Sequence, residues 1–92
     1  DSDGQEYCIA DEQMPVEKLV AAMNWACGNG GDCRSIGENG PCYLPNTVGD
    51  HASYAFNSYY QKFKHMGGSC YFLAAAMLTS LDPSHGECKF EY

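Results

Sequence analysis

Ninety-two residues suffice for one hydrophobic core, so the chain is expected to form a single domain. Twelve acidic against five basic side chains leave a net charge of −7, the wrong sign for a phosphate backbone or an anionic lipid surface, which argues against nucleic acid as a partner. Six cysteines in so short a chain point to disulfide staples and an oxidising, extracellular setting, and no apolar run is long enough to insert into a membrane.

Residues 1–6 are polar and read as a flexible N-terminal segment, with the domain occupying 7–92. From Pro15 the residues Val16, Leu19, Val20, Met23, Ala26 and Cys27 recur on one helical face, which predicts a helix over about 15–27. Pro15 suits its first turn and Gly28 its C-terminal cap, whereas Met14 is a poor N-cap. Trp25 lies about 180° from Val16, off the main apolar stripe, so some other part of the chain or a ligand must cover it.

A second helix is expected over about 51–65, with Asp50 as N-cap, Lys62, Lys64 and His65 complementing the C-terminal dipole, and Gly67-Gly68 stopping it. Ala52, Ala55, Phe56, Tyr59 and Phe63 share its core face. Tyr54, Asn57, Ser58 and Gln61 are expected to project from the opposite side, with Tyr60 on the flank. Tyr71–Leu78 is read as a short strand in preference to an irregular segment, Asp82-Pro83-Ser84 as a turn, and the alternating Cys88–Tyr92 as an edge strand.

The intervals between successive cysteines are 18, 5, 8, 27 and 17 residues, and the three histidines are dispersed, so no tetrahedral metal site is spelled out. Six cysteines permit 15 pairings, and spacing does not choose among them. One pair is locally attractive: Cys27 and Cys33 flank the Gly-rich loop Gly28-Asn-Gly-Gly-Asp32, flexible enough to bring the sulfurs together.

Catalytic chemistry finds little support, because the acids cluster near the ends and in loops instead of facing one another as a glycosidase pair. Ser53 and Ser58 lack a Gly-x-Ser-x-Gly elbow, and a disulfide-bonded cysteine is no nucleophile. Seven Tyr, four Phe and one Trp give the chain its chemical character. Flat rings offer an apolar face to the C–H bonds of a pyranose while neighbouring amides hydrogen-bond its hydroxyls. Tyr54, Asn57, Tyr60 and Gln61, with Trp25 in addition, are therefore the candidate carbohydrate-binding residues; no cofactor or metal is expected.

Trp25-Ala-Cys-Gly28, Asp32-Cys33, Cys42-Tyr-x-Pro45-Asn46, the run His51–Gln61, Gly68-Ser-Cys70 and Asp82-Pro-Ser84 together resemble the X8 domain, also called carbohydrate-binding module family 43. The likeness extends from Tyr7 to Tyr92. It implies an α+β, disulfide-rich fold of two crossed helices with a small antiparallel sheet and long coil, and the pairing Cys8–Cys70, Cys27–Cys33 and Cys42–Cys88. It also implies a secreted, monomeric, non-catalytic plant domain of the cell wall that binds 1,3-β-glucans such as callose and laminarin. Such domains occur at the C-terminus of endo-1,3-β-glucanases, in anchored plasmodesmal proteins and as small pollen proteins, some allergenic, so any linked glycoside hydrolase domain or membrane anchor would lie outside these 92 residues. The chain departs from the pattern in carrying Tyr7 where many members have Trp, and Met14 where Ser or Thr often precedes the helix proline. The alternative is a secreted protein-interaction module or allergen-type pollen protein using the same aromatic face, since Tyr and Trp also dominate protein hot spots.

Overall fold

The computed structural model describes residues 6–92. Strand β1 (Tyr7–Ala10) is followed by helix α1 (Val16–Gly28), a long coil, helix α2 (Val48–Phe63) and strand β2 (Ala76–Thr79). The two strands form an antiparallel sheet in the register Tyr7↔Thr79 to Ala10↔Ala76. The expected flexible segment falls, apart from Glu6, outside the described residues.

Helix α2 is the centre of the molecule, packed by α1 on one side and β1 on the other. That placement corrects the expectation that its polar side faces water: Tyr54, Asn57 and Ser58 are buried along with Ala52, Ala55 and Phe56. The polar residues are paired with backbone. Ser53 Oγ accepts the Ala10 amide (2.9 Å) and Asn57 Oδ1 the Cys8 amide (3.0 Å), while Gln61 Nε2 donates to the Glu6 carbonyl (2.7 Å). Successive turns of one helix stripe thus occupy the edge of β1 that β2 leaves free, a place where unpaired amides would otherwise be exposed or unsatisfied.

The same stripe anchors the C-terminal residues. Asn57 Nδ2 donates to the Glu91 carbonyl and Ser58 Oγ to the Glu91 carboxylate, and Phe90 packs edge-on against Tyr54 with centroids 5.2 Å apart. The expected edge strand at Cys88–Tyr92 is therefore not formed: only an isolated bridge pairs Cys88 with His85, and side chains hold the rest. At Asp82-Pro83-Ser84 the chain bends through a side chain, the Ser84 amide donating to Asp82 Oδ1, while the backbone turn itself falls at Gly86-Glu87.

Helix boundaries shift for local reasons. Thr47, not Asp50, caps α2: its hydroxyl accepts the Asp50 amide and donates to the Asp50 carboxylate, a reciprocal arrangement that starts the helix at Val48. The helix proper ends at Phe63 and tightens into a 3₁₀ turn at Lys64–Met66, which Gly67 terminates with φ +92°. α1 has no side-chain cap, in keeping with Met14 and Pro15 at its entry.

All three disulfides pair as the family resemblance implies: Cys8–Cys70, Cys27–Cys33 and Cys42–Cys88. Cys8–Cys70 ties β1 to the segment after α2, and Cys42–Cys88 fastens the coil, whose Ile36 is buried, to the C-terminal residues. Tyr71–Leu78 is only half a strand: Ala76–Thr79 pairs with β1, while Phe72–Ala74 forms a tight turn.

Candidate functional site

On α1 the residues Lys18, Ala21, Ala22 and Trp25 stand at i, i+3, i+4 and i+7, one stripe about 10 Å long at 1.5 Å per residue. Opposite them runs the segment Gly67-Gly68-Ser69 followed by Phe72, Leu73 and Ala75, and Tyr59 of α2 lies between. These walls enclose an open groove of about 550 Å³. The alanines keep it open, and Gly68 lets the far wall turn back tightly, since a Cβ there would meet the Phe63 carbonyl oxygen at 2.9 Å.

Three aromatic rings form the centre of the groove. Trp25 meets Tyr59 at 5.1 Å and Phe72 at 6.0 Å between centroids, and Tyr59 meets Phe72 at 5.6 Å, with interplanar angles of 64°, 73° and 74°. Phe72 in turn stacks on the fully buried Phe56 at 4.5 Å, which fixes the cluster to the core. Trp25 remains 50% exposed. The rings are close to mutually perpendicular, so they offer one indole face and several edges rather than a flat platform.

Phe72, Leu73 and Ala74 all adopt left-handed backbone, with φ of 47°, 55° and 69°. For residues other than glycine this conformation costs about 1–2 kcal/mol each. The turn is held by the Phe72 anchor, the neighbouring Cys8–Cys70 bridge, the buried Ala75 and the pairing of β2.

Among the described residues Lys18 is the one charged side chain lining the groove, and no carboxylate lines it. The displaced pKa values lie elsewhere: burial and then the Asp82 charge raise the Tyr7 hydroxyl, burial raises Tyr54, and hydrogen bonds from Ser84 lower Asp82. The groove can therefore hold an uncharged ligand with an apolar face and hydroxyl groups, but offers no acid and base pair to cleave it.

Of the five residues singled out in the sequence, the structure brings only Trp25 to this groove. Tyr54 and Asn57 are buried on the other flank of α2. Tyr60 and Gln61 are half-buried, tied together through Lys64, whose ammonium lies 5.8 Å from the Tyr60 centroid and donates to Gln61 Oε1. By periodicity Tyr59 belongs to the core face and Phe72 to a strand; the stripe of two alanines ending in Trp25, offset from the apolar face, is the signal that marks the groove.

Comparison with known proteins adds an independent line. The X8 domain family matches residues 6–77. Glucan endo-1,3-beta-glucosidase 1 of Arabidopsis thaliana is 50% identical over 91 residues, covering 98% of this chain but 18% of that protein. Plasmodesmata callose-binding protein 5 of the same plant is 44% identical over 85 residues, 91% of this chain and 47% of that protein. A glucan endo-1,3-beta-D-glucosidase of Olea europaea is 39% identical over 84 residues, 91% of this chain and 18% of its own length. The chain thus spans less than a fifth of the glucosidases and about half of the callose-binding protein.

Proposed function

Since the chain belongs to the X8 domain family, a family of binding modules and not enzymes, we propose that it binds 1,3-β-glucan through the groove of Trp25, Tyr59 and Phe72. The half-exposed indole, in a groove that no carboxylate lines among the described residues, carries the reading. One pyranose stacks on the free face of Trp25, and its hydroxyls bond to the Tyr59 and Ser69 hydroxyls, the Lys18 ammonium and the backbone of Gly67 and Gly68. Tyr54 and Asn57 then serve the fold, and Tyr60 and Gln61 lie on a flank apart from the sugar.

Ring geometry favours a curved chain over a flat one. A 1,4-linked ribbon presents its flat faces best to coplanar rings, which rings at 64–74° to one another do not supply, whereas the single indole face suits a 1,3-linked chain that stacks one residue and then turns. Two relatives are named for cleaving 1,3-β-glucan and a third for binding callose, which agrees with this preference. The α1 stripe that lines the groove is about 10 Å long, so affinity rises over the first few sugars and then levels off. An open groove that orders flexible sugars on one exposed ring yields dissociation constants of roughly micromolar to millimolar. The module acts as a monomer in the cell wall or apoplast, where its three disulfides are stable, and tethers whatever is joined to it.

Co-sedimentation with insoluble 1,3-β-glucan and with cellulose tests the proposal: retention on the first alone supports it, and equal or no retention contradicts it. A docking site for a protein would use the same rings, but its affinity would not depend on oligosaccharide length.

A further inference from the structure

Leu73 is the middle residue of the left-handed turn Phe72–Ala74 and is 83% exposed. Both properties disfavour leucine. Glycine or asparagine would take that backbone with less strain, and water would accept almost any polar side chain more readily. The turn itself does not depend on the Leu73 side chain: the Ala74 amide donates to the Tyr71 carbonyl and the Ala75 amide to the Phe72 carbonyl, while Phe72 is stacked on Phe56. Its neighbours are also fixed, Cys70 by its bridge to Cys8 and Ala76 by pairing with Ala10. An exposed leucine held in an unfavourable conformation returns little to the stability of the isolated chain.

Leu73 lines the groove together with Trp25 and Phe72, so that an apolar wall stands beside the one half-exposed ring. We propose that Leu73 is a ligand-contacting and specificity-determining residue: it packs on the C–H face of the glucan unit next to the one stacked on Trp25, and the rigid left-handed turn fixes its height above the groove. This inference rests on the glucan reading of the groove. A chain that bends after each linkage turns its next ring onto the leucine, whereas a straight ribbon passes over it.

The test uses the 92-residue protein with laminarihexaose and cellohexaose, measuring both dissociation constants and Tm for Leu73→Ala, Leu73→Gly, Leu73→Asn and Leu73→Met, with Trp25→Ala alongside. Leu73→Ala, Leu73→Gly and Leu73→Asn should each weaken laminarihexaose binding about fivefold, as expected for uncovering one side of an aliphatic chain. Leu73→Gly and Leu73→Asn should keep or raise Tm, because the backbone strain is relieved. Leu73→Met should retain most of the affinity. Unchanged affinity in all four Leu73 variants, with binding still weakened about tenfold in Trp25→Ala, overturns the role of Leu73 and leaves the glucan reading intact. A joint fall of Tm and affinity in Leu73→Gly also overturns it, by showing that the side chain supports the fold. Absence of laminarihexaose binding by the unaltered protein overturns both.

Discussion

Replacing Trp25 by alanine removes the one aromatic face that the groove leaves half open. An indole buries 150–250 Å² when fully covered, and since 50% of Trp25 is exposed, about 100 Å² remains for a ligand. At ~25 cal/mol per Å² full cover is worth about 2.5 kcal/mol, and a sugar on one face of the ring realises about half of that. The dissociation constant of a laminari-oligosaccharide should therefore rise roughly tenfold. The fold should survive, because the edge-on contacts with Tyr59 and Phe72 contribute only about 1 kcal/mol each. Isothermal titration calorimetry with laminarihexaose measures the change, and an unaltered near-ultraviolet dichroism of the tyrosines outside the cluster serves as the check on folding. Trp25→Phe should recover part of the affinity. A folded Trp25→Ala that binds as tightly as the parent would refute the assignment of the groove.

Asn57→Ala should lower stability by about 2–4 kcal/mol, because it strands the buried Cys8 amide and the Glu91 carbonyl together; the urea midpoint falls while the folded fraction keeps its glucan affinity. Replacing the Cys27–Cys33 pair with alanines should cost about 2 kcal/mol and replacing the Cys8–Cys70 pair about 4 kcal/mol, since the loops closed span 6 and 62 residues; Tm values of the two double mutants should fall in that order. Tyr7 is held neutral by burial and by the Asp82 charge, so its hydroxyl titrates above the ordinary 10.0. Its contribution to stability is therefore complete below pH 10 and is lost as pH rises towards the higher folded value; urea unfolding from pH 9 to 11 should show the loss, and Tyr7→Phe should lessen it, with Tyr54, also raised by burial, supplying the remainder.

The helices were legible because their signals are local: the apolar period from Val16 to Cys27, the run around Phe56, and the Gly67-Gly68 stop. The disulfide pairing was legible only through the family resemblance, apart from Cys27–Cys33, where the glycine loop speaks for itself. Asp50 reads as a cap because the helix period is clearest after it, although Thr47 three residues earlier completes the reciprocal pair. The larger difference concerns Asn57 and Gln61, which with Ser53 lie along β1. A polar stripe on a helix has the same period whether it meets water or a strand edge, and only the fold, by laying β1 along it, decides between them. Tyr54 was misplaced outward for the same reason, its cover being the distant Phe90. Trp25 was correctly placed off the core stripe, but its companions come from Tyr59 and from a left-handed turn that no periodicity announces.

A titration of the ¹⁵N-labelled chain with laminari-oligosaccharides, and with cello-oligosaccharides in parallel, tests the central claim most directly. The account predicts saturable shifts for laminari-oligomers alone, centred on the Trp25 indole N–H and on the amides of Gly67, Gly68, Ser69 and Leu73. Shifts confined to the Asn57–Gln61 flank of α2, or equal shifts with cello-oligomers, would contradict it.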